Sequence, residues 1–338
     1  MPDIDDSSKF KLFQLLHQSY INNFGNVFPE KILVAVSGGI DSLALVLIAN
    51  HWCSENNILL KTVTIDHQLR SDSTLEASKV HDIMEKHNID HEVVTWNRKG
   101  EVVSNIEASA RQARYDLLTN YANINNISII ITAHHLDDQV ETFFMRLVRG
   151  SGIDGLSAMK MKTNITEKIV LFRPFLEIEK KYLKQYLEDQ DQEWFEDSTN
   201  KNTDFLRNKI RKMLYEIEDK KIIDKRIIRT IEHFGRAKDF LESHTEAVFS
   251  DLVTNKEGRL VLDRLAFNGL HEEIALRLLI RIFKEVGGQH NKPRFNNLFI
   301  LYQNLTSNKI KKRTTFSHAL ITLKENLIIF QQEERISR

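Results

Sequence analysis

A single cysteine in 338 residues, Cys53, rules out an internal disulfide and any zinc cluster assembled from several thiolates of one chain. Its position inside an apolar helical run marks it as a small buried hydrophobe rather than a reactive thiol. No apolar run approaches the ~20 residues that cross a bilayer. The acidic start, Met1-Pro2-Asp3-Ile4-Asp5-Asp6, lacks the basic segment and apolar stretch of a signal peptide. A cytoplasmic protein with no membrane partner is expected. Internal repeats and low-complexity segments are absent. Net charge is absent too, because 47 Lys and Arg cancel 47 Asp and Glu. The cancellation conceals a split: residues 207–338 hold 26 basic against 17 acidic side chains, and residues 1–206 carry the opposite surplus. A basic half suits a polyanion, although a surface drift of charge with no partner accounts for it equally well.

What remains is an ordinary soluble composition, 41% hydrophobic and 28% charged, on a chain long enough for two domains. The first half alternates strand-like runs at residues 32–36, 59–65, 91–96 and 127–132 with helical periodicity between them. Repeated βα units imply a parallel sheet with helices on both faces. Residues 170–172 read as a short strand and 177–188 as a helix. The polar stretch 197–204 reads as a turn-rich linker. Beyond it, helical patterns run over 206–214, 222–248 and 272–286, with Gly287-Gly288 as the stop of the last. The tail reads as a hairpin turning at Lys324-Glu325-Asn326. The expected division is an N-terminal α/β catalytic domain, 1–205, and a mainly helical, basic C-terminal domain, 206–338.

The hexapeptide Ser37-Gly38-Gly39-Ile40-Asp41-Ser42 stands between the first strand and the first helix of that pattern. Two glycines let the backbone turn sharply and come close to an anion, and the amides behind them belong to a helix N-terminus, where the dipole favours negative charge. A phosphate or pyrophosphate is the expected guest, with hydroxyl donors from Ser37 and Ser42. Asp41 would repel a phosphate unless a cation stands between them, which suggests Mg²⁺. The plainer reading is a serine-capped turn. This is neither a Walker loop nor the Gly-x-Gly-x-x-Gly dinucleotide turn.

Ligands of parallel sheets sit beyond the carboxyl ends of the strands. There the second strand is followed by Asp66-His67-Gln68-Leu69-Arg70, and the strand at 127–132 by His134-His135-Leu136-Asp137-Asp138. His134, Asp138 and Glu141 share a face of a helix start, with Asp137 beside them. Acidic residues there either compensate the dipole or, facing Asp41, hold Mg²⁺ or orient an attacking amine. Arg111 and Arg114, one turn apart, suit a phosphate; the alternative is a solvated face with a Glu107–Arg111 pair. Basic residues at 207–212 open another helix, an arrangement the dipole disfavours and a nucleic-acid backbone favours. The run at 309–313 reads as an ordinary solvated loop.

The hexapeptide resembles the SGGxDS signature of the PP-loop ATP pyrophosphatases, which implies ATP cleaved between its α- and β-phosphates and an adenylated intermediate. More specific is the ordered set of that loop, residues 65–70 and 107–115, His134-His135-Leu136-Asp137-Asp138-Gln139-Val140-Glu141-Thr142, Arg149-Gly150-Ser151-Gly152, Arg173-Pro174-Phe175-Leu176, and residues 197–211. Together these segments resemble the tRNA(Ile)-lysidine synthase family, densely over 30–212 and loosely beyond.

The resemblance implies ligation of free L-lysine to C2 of the wobble cytidine of the CAU-anticodon isoleucine tRNA. The cytidine is first adenylated by ATP, pyrophosphate and AMP are released, and codon reading changes from AUG to AUA. It assigns catalysis to Asp41, Asp137, Asp138 and Arg111, and ATP binding to Ser37, Gly38, Gly39, Ile40, Asp41, Ser42 and His134. Substrate contacts fall to Arg114, Arg207, Asn208 and Arg211, and Mg²⁺ to Asp41 and Asp138. A homodimer is compatible with it, and a second C-terminal domain of longer relatives is expected to be missing. A tRNA thiolase, the nearest rival, uses cysteine pairs or an iron-sulfur cluster that one cysteine cannot supply. An amidotransferase synthetase would need a partner that this chain does not encode. A catalytically silent nucleotide- or RNA-binding module would not need so many carboxylates beside phosphate.

Overall fold

The computed structural model describes residues 8–68, 73–97, 106–195, 206–287, 293–307 and 313–333. Leu69, Arg70, residues 197–204, Gly288, residues 309–312 and the Glu107 side chain, all weighed in the sequence, lie outside what is described. The chain forms two compact units, Met1–Glu232 and His233–Arg338.

In the first unit α1 (Ser8–Phe24) precedes β1 (Lys31–Ala35), α2 (Ile40–Glu55), β2 (Leu59–Asp66), α3 (Ser73–Lys86), β3 (His91–Thr95), α4 (Ile106–Ile124) and β4 (Ile129–Ile131). Then come α5 (Leu136–Val148), the single turn α6 (Ile153–Leu156), β5 (Lys162–Asn164), β6 (Val170–Phe172), α7 (Lys180–Glu188) and α8 (Leu206–Tyr215). A long helix, α9 (Lys220–Leu252), contains the boundary between the units.

The sheet order is β3-β2-β1-β4-β6-β5, parallel except for β5, which pairs antiparallel with β6 at the edge. Sequence periodicity misses β5 because all three of its residues are exposed and polar. Alternation along β1 shows how the sheet is buried on both faces. Ile32 and Val34 pack with Leu12, Leu16 and Tyr20 of α1, Leu43 and Leu47 of α2, and Leu183 and Leu187 of α7. Leu33 and Ala35 pack with Leu118, Tyr121 and Ala122 of α4 on the other side. Such strands read as continuous apolar runs, which is why they are legible in sequence.

Because β2 and β3 lie on one side of β1 and β4 on the other, the strand order reverses between β1 and β4. Ligand crevices form at that reversal. The hexapeptide follows β1 and the double histidine follows β4, so both open onto it.

The second unit holds a five-stranded antiparallel sheet, β7-β8-β11-β10-β9, made by β7 (Val253–Lys256), β8 (Arg259–Asp263), β9 (Arg313–Phe316), β10 (Ala319–Lys324) and β11 (Leu327–Gln332). The helices between are α10 (Arg264–Asn268), α11 (Glu272–Gly287) and α12 (Phe295–Thr306). Leu278, Leu279 and Ile282 of α11 cover Leu262, Ile321, Ile328 and Phe330 of the sheet. The tail hairpin is β10 and β11, joined at Glu325 and Asn326. Two further strands, β7 and β8, are not read from the sequence. Their exposed face is mostly charged and polar, and they turn at Glu257-Gly258, both with positive φ.

Candidate active site

Gly38 makes the phosphate loop possible. Its φ is +80°, in the left-handed region, and a Cβ built there would lie 2.7 Å from both Phe195 Cδ2 and Val80 Cγ2. The Phe195 N–H donates to the Gly38 carbonyl at 3.0 Å, so the loop is strapped from outside. Gly39 is the N-cap of α2 and offers no side-chain cap. The first amides of α2 therefore face the crevice without an intrahelical acceptor, as an anion site requires. The two serines hold the loop rather than project from it. The Ser37 N–H donates to Ser42 Oγ at 3.1 Å, and the Ser42 hydroxyl donates to the Gly39 carbonyl at 3.0 Å.

Behind the loop lies an ionic network. Asp41 Oδ2 stands 3.5 Å from His135 Nε2 and 3.3 Å from Lys180 Nζ. Asp41 Oδ1 is buried and has no hydrogen-bond partner among the described residues. Burial raises the Asp41 pKa, but His135 and Lys180 outweigh it and leave the carboxyl below its ordinary value. The His135 imidazole, 2% exposed, also lies 3.4 Å from Asp138 Oδ2 and 3.6 Å from Asp137 Oδ2. Burial disfavours its charge, yet Asp138, Asp41 and Asp137 together raise its pKa. It lies between three carboxylates, which favour its protonated form.

Helix α5 positions two of those acids. Its N-cap is His135, whose N–H donates to Asp138 Oδ2 at 3.2 Å. Asp138 and Glu141, three residues apart on one face, are bridged by Arg207 of α8, with Nη2 3.0 Å from Asp138 Oδ1 and Nε 2.7 Å from Glu141 Oε2. Arg211 takes the other Glu141 oxygen. Asp137 accepts from the Lys180 backbone N–H at 3.0 Å and from Lys220 Nζ of α9 at 3.0 Å. Lys220 is also paired with the buried Asp224. Asp137 and Asp138 titrate below the ordinary carboxylate value: burial raises both, but the Lys180 N–H, His135 and Lys220 outweigh it at Asp137, and His135 and Arg207 are among those that do so at Asp138.

His134 shares a hydrogen bond with Thr132 Oγ1, at 2.9 Å. Burial, with Arg173, Arg114 and Arg111 adding to it, pushes its pKa down to about 3 despite Asp138. It is a neutral imidazole at neutral pH. Arg111 is exposed and lies over the Tyr115 ring, 5.5 Å from its centroid, while Arg114 is half-buried. The arginine pair and His134 thus share one electropositive wall.

Of the residues expected from sequence, the structure joins Asp41, Asp137 and Asp138 through His135, and ties Arg207 to Asp138 and Glu141 and Arg211 to Glu141; Arg111 and Arg114 are electrostatic neighbours of His134. Asn208 is half-buried on the same helix. Sequence reasoning did not single out His135, Lys180, Lys220 or Asp224. A second histidine next to a helix start was the one available signal, since isolated lysines carry none.

Strand order, glycine loop and helix-facing amides define a PP-loop protein, and the PP-loop domain family matches residues 12–218. A U34-tRNA thiolase of Methanococcus maripaludis shares the fold, with a TM-score of 0.56 at 15% identity, over 66% of this chain and 80% of that one. The chain belongs to the tRNA(Ile)-lysidine synthase family. It is 32% identical to the tRNA(Ile)-lysidine synthase of Wolbachia pipientis wMel over 96% of its own length and 75% of the relative's. To that of Orientia tsutsugamushi (strain Boryong) it is 36% identical over 82% of its own length and 64% of the relative's.

Proposed function

We propose that this protein ligates free L-lysine to C2 of the wobble cytidine in the CAU-anticodon isoleucine tRNA, in the cytoplasm, at the expense of ATP. In the first step the cytidine O2 attacks the α-phosphorus, the bond to the β-phosphate oxygen breaks, and pyrophosphate leaves with the electron pair. In the second the lysine ε-amine attacks C2, and AMP departs with the former O2. What supports this reading is the joining of Asp41, His135, Asp138, Glu141 and Arg207, far apart in sequence, into one network at the strand reversal of a chain of this family.

Gly39, Ile40, Asp41 and Ser42 amides receive the β,γ-phosphates, and Ser37 and Gly38 shape their approach. Arg111 and Arg114 face the α-phosphate or the tRNA, and neutral His134 offers an uncharged ring to the nucleotide. Mg²⁺ fits the unpartnered Asp41 Oδ1, and when bound there it would neutralise charge on the phosphates. Among the described residues no group of three or more His, Cys, Asp or Glu side chains is arranged to hold a metal alone, so phosphate oxygens and water would complete the shell. Asp138, which accepts from the His135 N–H at Oδ2 and from Arg207 at Oδ1, has a lone pair left on each oxygen with which it could join.

A lysine amine is protonated at neutral pH, so a carboxylate must hold the ammonium and take a proton as it attacks. Asp137 suits the role: its side chain is more exposed than that of Asp138 and already accepts from an ammonium, that of Lys220. Arg207 and Arg211 act through Asp138 and Glu141, with Asn208 beside them on the substrate side. The order of steps is tested by product analysis: pyrophosphate forms with ATP and tRNA alone, and AMP release requires lysine. AMP formed without lysine or tRNA would refute the scheme.

A further inference from the structure

Lys180 is the first residue of α7, and its two ends touch two different acids of the site. The backbone N–H binds Asp137 Oδ2 at 3.0 Å, and Nζ stands 3.3 Å from Asp41 Oδ2. Leu183, Tyr186 and Leu187 anchor α7 in the core against α2, so the ammonium is presented by a fixed element beside the phosphate loop. The side chain is 42% exposed, so the ammonium that reaches Asp41 of the loop is also open to solvent.

Building on the ATP-using reading above, we propose that Lys180 is a phosphate-binding residue, its ammonium passing from Asp41 to the pyrophosphate portion of the nucleotide when Asp41 turns to the accompanying Mg²⁺. The neighbouring acids leave it little other choice. Asp137 is held by Lys220, Asp138 and Glu141 by Arg207 and Arg211, and Glu179 by Lys181 at 2.6 Å. Once its partner carboxylate is shared with a divalent cation, a lysine at this rim meets the phosphates. A compact point charge serves there, since the leaving group gains negative charge as its bond to the α-phosphorus breaks.

The test is binding of inorganic pyrophosphate with Mg²⁺ to the full chain by calorimetry, for wild type, Lys180→Gln and Lys180→Arg, with melting temperatures measured alongside. Lys180→Gln should weaken binding roughly 3- to 10-fold and Lys180→Arg should restore most of it. In steady-state assays KM for ATP should rise more than kcat falls. A variant that merely loosens α7 would lower the melting temperature without rescue by arginine, and that result overturns the proposal. Equal pyrophosphate affinity in wild type and Lys180→Gln overturns it while leaving the loop assignment intact. Wild-type protein that binds no pyrophosphate refutes the phosphate-loop reading itself, and the proposal with it.

Discussion

Arg207 Nη2 lies 3.0 Å from Asp138 Oδ1, although 69 positions separate the two residues. The same guanidinium reaches Glu141, which is 4% exposed, so one side chain from α8 ties together two acids of α5. Removing one partner of a buried charge leaves the other uncompensated. Arg207→Ala should cost about 1–3 kcal/mol in urea unfolding, less than a fully buried pair because Arg207 is partly exposed and Arg211 remains. Arg207→Lys should recover little, since an ammonium cannot fork between two carboxylates. Lysine transfer should fall further than stability alone explains. A double-mutant cycle with Asp138→Asn measures the coupling.

Phosphate-loop glycines should separate cleanly. Gly38→Ala adds a Cβ 2.7 Å from Phe195 and Val80 at positive φ, and should lose about 1–3 kcal/mol. Gly39→Ala meets nothing closer than 3.9 Å, with φ −77°, and should unfold like wild type. Its Cβ narrows the approach to the amides, so KM for ATP should rise. Thermal melts and ATP kinetics on the two variants decide this.

Stability should depend on pH from both sides. His135 is held above the ordinary imidazole value, so its contribution is complete below about pH 6.5 and is lost as pH climbs through the raised folded value. Asp41, Asp137 and Asp138 are held low, so theirs is complete above about pH 4 and is lost as pH falls through the lowered values. Unfolding free energy should crest between these limits. The His135→Asn variant should lack the alkaline decline expected of wild type above about pH 6.5.

Cys53 is 2% exposed, and burial pushes its thiol up to about 12. Ellman's reagent should leave it untouched in native protein and react with one thiol in denaturant. Cys53→Ala should retain lysine transfer, a result foreign to thiolase chemistry.

Much of this architecture is legible from residues alone where both faces of an element are constrained. The strand at 32–36 is apolar throughout because helices cover both sides, and the one at 59–65 sets Lys61, Thr62 and Thr64 among apolar residues; they appear as β1 and β2 within a residue at either end. Short edge strands such as β5, and β7 with its exposed polar side chains, leave no such trace. Within the site, the glycine loop and the acids of α5 are legible because spacing along one helix fixes them. The partners of those acids are not. Arg207 and Arg211 look like a free basic face in sequence, whereas in the fold they turn toward Asp138 and Glu141, and Lys209 and Lys212 stay exposed. Lys180 and Lys220 arrive from α7 and α9, a consequence of tertiary packing that no local pattern encodes.

The central claim rests most directly on lysine transfer. Purified protein is incubated with Mg²⁺-ATP, labelled lysine and either the CAU-anticodon isoleucine tRNA or the methionine tRNA with the same anticodon letters, and label in the tRNA is counted. Label confined to the isoleucine tRNA, and abolished by Asp41→Asn in a variant that melts like wild type, is the expected result. Pyrophosphate release with no lysine in either tRNA would contradict the assignment.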